Sequence, residues 1–118
     1  MDSLTRRTIE KVLGWKQRAG RWYNGDELLP KGYPENLDFA NSMNDALMTV
    51  NKLKEDLDAS NCSIPYKLEM QANGLFVASF LTPRGPVVGP ACKTAAHATT
   101  EAALIAALDN RFDDWEWQ

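Results

Sequence analysis

Residues 66–81, YKLEMQANGLFVASFL, predict a β-hairpin, and this hairpin decides the fold. Apolar and polar side chains alternate in its first half, which is the pattern of a strand with one buried face. Asn73-Gly74 is the preferred pair for a two-residue type I′ turn, and such a turn places Tyr66 opposite Leu81. The second half is apolar on both faces. We therefore predict a central strand that helices cover on both faces, with the first strand nearer an edge.

Residues 41–59 predict an amphipathic helix before the hairpin, because apolar side chains recur there at helical spacing. Ser42 can cap the free amides at the start of this helix, and Asp45, three residues later, resembles a capping box. The apolar residues form one regular stripe, and the opposite side is polar. A single stripe predicts packing on one side only, so we expect this helix to lie against a sheet.

The turn-rich segment 82–93, TPRGPVVGPACK, follows the hairpin. Its prolines and glycines leave room for one short strand around Val87 and Val88, at an edge of the sheet. We predict that a last helix begins near Thr99 or Thr100, because either hydroxyl can cap it. The alanines that follow permit a close approach of this helix to the sheet.

The two ends of the chain have weaker patterns. Residues 3–13 predict a first helix that ends at Gly14, a natural helix terminator. Residues 14–41 contain repeated glycines and prolines, and we expect one short strand within them, around residues 21–23. At the other end, residues 111–118 read RFDDWEWQ and alternate aromatic with charged side chains. This alternation predicts either an added edge strand or a docking tail.

Length and composition suit one compact domain. The chain has 118 residues, of which 44% are hydrophobic and 25% charged, so it falls among globular proteins rather than disordered or fibrous ones. Two independent cores in this length would each be marginal. We predict one domain spanning residues 1–118, with an α+β fold: a layered helix/sheet/helix sandwich around a small, mainly antiparallel sheet.

The charge is uneven along the chain. Residues 1–21 carry six basic and two acidic side chains, whereas residues 109–118 carry one basic and four acidic side chains. Opposite charges allow the two ends to attract each other, within one fold or between protomers, at a strength that salt reduces. The net charge of the whole chain is −3, which argues against nucleic acid as a partner.

No part of the sequence predicts a membrane segment. No apolar run reaches the roughly 20 residues that are needed to span a bilayer. The N-terminal residues, MDSLTRRTIE, lack the apolar stretch of a signal peptide. We therefore expect a cytoplasmic protein.

Few residues are suited to catalysis or to metal binding. His97 is the single histidine, and histidine is the side chain most often used for proton transfer at neutral pH. The sequence has no nucleophile-elbow, zinc-protease, P-loop or dinucleotide-binding motif. Cys62, Cys92 and His97 fall one ligand short of a closed zinc site, and we expect both cysteines to be free thiols. We predict no catalytic residue, no metal and no cofactor; a small hydrolase is the alternative.

One segment has the composition of an anion-binding site. A loop rich in glycine and proline brings Arg84, Lys93 and His97 to the predicted start of the last helix, where free amides and the helix dipole attract negative charge. Trp22 and Tyr23 can stack on a base or on the surface of a partner. The predicted ligand-binding residues are Arg84, Lys93, His97, Thr99, Thr100, Trp22 and Tyr23. In the alternative, the aromatic residues belong to the core and the loop is only a connection.

Several features follow the order found in a known family. They are VLGW at 12–15, Trp22, Tyr33-Pro34, Asn44-Asp45-Ala46, the hairpin, and TTEAALIAAL at 99–108. Together they resemble the phage ABA sandwich domain, a family of small proteins from tailed phages and prophages, over nearly the whole chain. The resemblance implies a layered fold of helices and sheet and a phage origin. It supplies no activity and no catalytic residue.

These observations predict a non-enzymatic, phage-encoded binding protein in the cytoplasm of an infected bacterium. In the first version, the protein sequesters a small anionic host molecule, such as a nucleotide-type defence signal, in a pocket made by residues 84–100. A homo-oligomer that forms this pocket between protomers is one arrangement. In the alternative, the protein inhibits a host protein through its aromatic and acidic C-terminal segment.

Overall fold

The structure, a computed structural model, describes residues 3–30, 32–57, 65–82 and 85–116, and for residues 56–57 and 109–116 it describes the backbone alone. These ranges form three helices and two antiparallel sheets of three strands each. In chain order the elements are α1 (Ser3–Lys11), β1 (Lys16–Arg18), β2 (Arg21–Asn24), β3 (Glu27–Leu28), α2 (Met43–Leu57), β4 (Tyr66–Met70), β5 (Phe76–Thr82), β6 (Gly85–Val88) and α3 (Ala95–Glu116).

The predicted α+β class is confirmed, and the structure has a second small sheet in addition to the one expected. The first sheet consists of β1, β2 and β3, and the second sheet of β4, β5 and β6. Within the described ranges, no helix is both long enough and apolar enough to cross a membrane.

Helix α3 lies at the centre of the core. It contacts β5 and β6 of the second sheet, and it also contacts α1 and α2. Three consecutive residues, Ala102, Ala103 and Leu104, are buried, so neighbours cover more than one side of the helix. Most of its buried side chains are alanine, which lets the neighbours approach closely. A Cβ built on Gly89, just after β6, would lie 3.0 Å from Ala102.

The second sheet has the predicted strand order, but the hairpin register differs from the prediction. Strand β5 is central, and β4 and β6 are the edges. Tyr66 lies opposite Phe80, not opposite Leu81. The reason is the loop: Gly74 N donates a hydrogen bond to Gln71 O at 2.9 Å. Gly74, with φ +83°, then completes a three-residue loop in which a bulge follows a type I turn.

Helices cover one face of the second sheet. Ala78 and Phe80 of β5 are buried on the face that α3 contacts. Leu81, which points to the opposite face, is 53% exposed. The prediction that helices cover both faces of the central strand is therefore wrong.

Helix α2 begins as predicted but packs differently. Ser42 Oγ accepts a hydrogen bond from Asp45 N at 3.3 Å, which is the expected cap. The Asp45 carboxylate accepts a hydrogen bond from Asp38 N at 2.8 Å and so ties the preceding loop to the start of the helix. The buried stripe, which includes Ala46 and Val50, packs against α3 and not against a sheet as predicted. The cause is that α3 itself occupies the covered face of the second sheet.

Thr94 is the residue that caps α3. Its Oγ1 accepts a hydrogen bond from His97 N at 3.0 Å, and the helix begins directly afterwards. The prediction of a start near Thr99 or Thr100 is therefore wrong, because both residues already lie within the helix and are fully buried. The helix continues to Glu116, so the predicted alternative of a C-terminal edge strand is also wrong.

The first sheet is built on a tight hairpin. Strand β2 confirms the short strand predicted around residues 21–23. Ala19 and Gly20, between β1 and β2, have φ of 50° and 78°, and a two-residue type I′ turn requires positive φ at both positions. A second cluster of buried side chains joins this sheet to α1 and to the loop before α2. Its members are Ile9, Leu13, Trp15, Trp22, Leu37 and Phe39.

Replacing Gly89 with alanine tests how closely α3 packs against the second sheet. The φ of Gly89 is not in the left-handed region, so the cost arises from the contact of the new Cβ with Ala102 at 3.0 Å. We expect Gly89→Ala to lower the free energy of unfolding by about 1–3 kcal/mol, measured by urea denaturation. The exposed neighbour provides the control, Ala91→Ser, which we expect to change stability by less than about 0.5 kcal/mol. An unchanged unfolding midpoint in Gly89→Ala would contradict the close packing.

Candidate ligand-binding site

One face of the first sheet carries basic and aromatic side chains. Residues that lie directly opposite each other in an antiparallel sheet share a face. Lys16 lies opposite Tyr23, and Arg18 lies opposite Arg21. Tyr23 lies in turn opposite Leu28. We call the surface formed by Lys16, Arg18, Arg21, Tyr23 and Leu28 the basic face.

The basic face carries three exposed cations close together. Its three cations, Lys16, Arg18 and Arg21, are exposed, and no described carboxylate forms an ion pair with any of them. The Arg18 guanidinium lies 5.7 Å from the centroid of the Tyr23 ring, in a cation–π contact. Glu27 lies opposite Asn24 and so belongs to the other face of the sheet. The basic face therefore presents positive charge that its own residues do not neutralise.

The opposite face of the first sheet fixes it to the core. Trp22 is only 5% exposed there, and the Arg6 guanidinium of α1 lies 6.0 Å from the centroid of its ring. Trp15 is also buried and meets Tyr33 edge to face, with ring centroids 6.4 Å apart. Trp22 thus belongs to the core, whereas Tyr23 remains half-buried on the basic face.

A hollow of about 460 Å³ lies between α1 and the first sheet. Its size falls within the range of about 300–1,000 Å³ that is typical of small-molecule sites. The lining residues are Glu10, Lys11, Trp15, Lys16, Gln17 and Trp22. Lys16 belongs both to this lining and to the basic face. The hollow and the basic face are therefore adjacent, and the charge of Lys16 reaches both.

The residues predicted to bind an anion near α3 lie at different depths. Lys93 is exposed and His97 is half-buried, whereas Thr99 and Thr100 are fully buried. Arg84 lies outside the described residues. Since α3 starts before the two threonines, their amides lie inside the helix and not at its free end. Thr99 and Thr100 therefore offer no free amides to an anion.

The hydroxyls of these threonines have structural partners. Thr99 Oγ1 lies 2.6 Å from the Tyr66 hydroxyl of β4. Thr100 Oγ1 donates toward Phe39 O at 3.0 Å, in the loop before α2, and toward Ala96 O at 2.9 Å within its own helix. The contact with Tyr66 joins α3 to the second sheet, and the contact with Phe39 joins it to the loop that precedes α2.

His97 lies beside the ion pair that connects α1 to α3. Its Nε2 lies 3.4 Å from Glu101 Oε1, and Arg7 Nη2 lies 3.4 Å from the same oxygen. Cys92, five residues before His97, is buried. Its burial raises the pKa of the thiol above the ordinary value, and the negative charge of Glu101 raises it further. A thiol with a raised pKa is a poor nucleophile at neutral pH.

No group of three His, Cys, Asp or Glu side chains in the described ranges is arranged to hold a metal ion. Cys62, one of the three soft ligands in the sequence, lies outside those ranges.

The basic face is the feature that sequence reasoning missed. The sequence pattern pointed to Trp22 and Tyr23, but Lys16, Arg18 and Arg21 were counted only among the six basic side chains of residues 1–21. The signal was present: Lys16 and Arg18 are two residues apart, and the Ala19-Gly20 pair that follows permits a tight turn. Recognising the hairpin would have placed all three cations on one face.

Comparisons with known proteins show a likeness in fold. No protein-family profile and no curated protein matches the chain. A crystal structure of a phage protein from Bacillus cereus ATCC 14579 superimposes with a TM-score of 0.63, at 18% sequence identity, over 92% of this chain and 89% of that one. The chain therefore shares the overall fold of a phage protein.

The reactivity of Cys92 tests its surroundings. In a Cys62→Ser variant Cys92 is the only thiol. At pH 7 we expect iodoacetamide to alkylate it at least about tenfold more slowly in the folded protein than in the protein unfolded by urea. A raised pKa lowers the thiolate fraction at neutral pH. This fraction grows as the pH rises, so the alkylation rate in the folded protein should increase with pH. Adding Glu101→Gln removes a negative charge and should increase the rate by less than unfolding does. Equal rates in the folded and the unfolded protein would contradict the burial of this thiol.

Proposed function

We propose that this chain is a phage-encoded, non-enzymatic binding protein of the ABA sandwich type that captures a small anionic ligand of nucleotide type on its basic face. The observation that carries the proposal is the cluster of three exposed cations, Lys16, Arg18 and Arg21, without described carboxylate partners. The shared fold with a phage protein supports the phage origin. The resemblance in sequence order supports the family.

The two arginines suit a phosphate group. A guanidinium presents a planar fork of donors that matches the oxygens of phosphate, and such charge-assisted hydrogen bonds are stronger than neutral ones. Arg18 and Arg21 lie directly opposite each other, so their side chains share one part of the sheet. Two guanidinium groups on a single phosphate or diphosphate would hold the ligand at two points.

Aromatic side chains next to these cations suit a nucleobase. Tyr23 is half-buried on the basic face, and an aromatic ring on the surface of a sheet is a common platform for stacking a base. The hollow lies on the opposite face of this sheet, where Trp15, Trp22 and Glu10 line it, and Lys16 at its border connects it to the basic face. On the basic face, a ligand with an aromatic ring and a phosphate would place its ring on Tyr23 and its phosphate on the two arginines.

The groups best suited to chemistry are engaged elsewhere, which supports binding without turnover. The imidazole of His97 is within ion-pair distance of Glu101, and Arg7 of α1 contacts the same carboxylate. Cys92 is buried, and its raised pKa makes it a weak nucleophile. A binding protein of this kind acts by occupancy, and sequestration of a nucleotide-type defence signal of the host is the role that we propose.

Substitution of the basic face tests this function. The probes are nucleoside mono-, di- and triphosphates and cyclic dinucleotides, measured by isothermal calorimetry at low salt. We expect at least one probe to bind, with an affinity that falls as salt rises. Arg18→Ala/Arg21→Ala should weaken that binding by about a hundredfold or more, because each charge-assisted hydrogen bond contributes about 1.5–3 kcal/mol.

Two control variants locate the site. Lys67→Ala removes an exposed cation of the second sheet that is already paired with Glu69, and it should leave binding unchanged. Lys93→Ala tests the loop before α3. Loss of binding in Lys93→Ala with full binding in the arginine variant would move the site to that loop. If no probe binds and the chain instead retains a host protein, the alternative role as an inhibitor of that protein replaces sequestration.

A further inference from the structure

The second sheet has an open face that carries apolar side chains. Along β5, the residues Val77, Ser79 and Leu81 alternate with the buried ones and point away from α3. Pro86 of β6 lies opposite Leu81, and Val88 lies opposite Ser79. We call the surface formed by Val77, Ser79, Leu81, Pro86 and Val88 the apolar face.

Two large apolar side chains of the apolar face are more than half exposed. Val88 is 64% exposed and Leu81 is 53% exposed, whereas Val87, which points the other way in β6, is only 5% exposed. Single apolar residues on a surface need no explanation, but adjacent ones on a sheet face form a continuous patch. Such patches on otherwise polar proteins mark contact with another molecule.

Among the described residues, the border of the apolar face along β4 carries one cation and one anion. On β4, Lys67 lies opposite Ser79 and Glu69 lies opposite Val77, so both point to this face. Lys67 and Glu69 form an ion pair with each other. Along β4 an identical face therefore meets no net charge when it approaches, although the whole chain carries −3. One cation and one anion at the border also provide opposite charges that can be exchanged between two copies.

The edges of the second sheet favour contact through the face and not through the strands. Pro86 lies in β6, and proline has no N–H with which to pair another strand. The other edge strand, β4, carries Lys67 and Glu69, and charged side chains on an edge strand discourage pairing with a further strand. An additional strand is therefore disfavoured at both edges, which leaves the apolar face as the surface to be covered.

We propose that two copies of this chain pack their apolar faces together in a two-fold symmetric dimer. Such an interface requires a surface that is complementary to itself, and an apolar centre bordered along β4 by one cation and one anion meets that requirement. The two second sheets would then form the inner layers of a sandwich, about 10 Å apart. The proposal rests on the second sheet, whereas the proposed ligand site lies on the first sheet, so each can fail without the other.

The experiment measures the molar mass of the particle in solution, and hence the number of chains in it, for the wild type and two variants. We expect light scattering coupled to size-exclusion chromatography to show a dimer that dissociates on dilution. Leu81→Glu places a charge at the centre of the interface and should weaken the dimer by at least about tenfold. Leu47→Glu places the same charge on α2, where the leucine is 37% exposed and away from the apolar face, and should leave the dimer intact.

Each outcome supports or overturns the dimer. Urea denaturation shows whether Leu81→Glu is folded, and Val88→Glu repeats the test at a second exposed position if it is not. A folded monomeric variant beside a dimeric Leu47→Glu variant supports the proposal. A wild-type chain that is monomeric at every concentration overturns it, and so does a dimer that survives both substitutions in the apolar face. A monomer that uses this face to hold a different protein overturns it as well.

Discussion

The burial of α3 on more than one side is the constraint on which the rest of the structure depends. A helix with neighbours on several sides cannot use large side chains at every buried position, because the distances to those neighbours are too short. Alanine fills these positions in α3, and Gly89 replaces a side chain where the chain passes closest to Ala102. The second sheet and α2 can both pack against α3 only because the side chains of α3 at these contacts are so small.

Close packing leaves polar groups that need partners, and threonines supply them. Thr99 meets the Tyr66 hydroxyl at 2.6 Å, and Thr100 reaches Phe39 O at 3.0 Å. Thr94 caps the helix and also donates a hydrogen bond to Ala40 O. A buried hydroxyl without a partner costs free energy, so these contacts select one position of the helix along its axis. The sequence pattern suggested caps at Thr99 and Thr100, but burial makes the same residues into links between elements.

The class of the fold could be predicted from local patterns, whereas the register and the covered faces could not. Alternation and helical spacing depend on neighbours in the sequence, so the hairpin, α1, α2 and β2 were all found. The type I′ turn was assigned to Asn73-Gly74, but it occurs at Ala19-Gly20, where Ala19 has φ 50°. Asn73-Gly74 also fits a three-residue loop, and only the packing of Phe80 and Ala78 against α3 distinguishes the two registers. That packing is a tertiary effect that no local pattern encodes.

The candidate site was hidden from the sequence for an electrostatic reason. A net charge of −3 describes the chain as a whole, yet it does not describe any one face of it. Because the first sheet puts alternate residues on one side, Lys16, Arg18 and Arg21 are brought together while Glu27 points away. An approaching anion responds to the charges within about one Debye length, roughly 8–10 Å, and not to the sum over the chain. A small ligand therefore meets the positive surface first, whereas a long nucleic acid would also meet the acidic remainder.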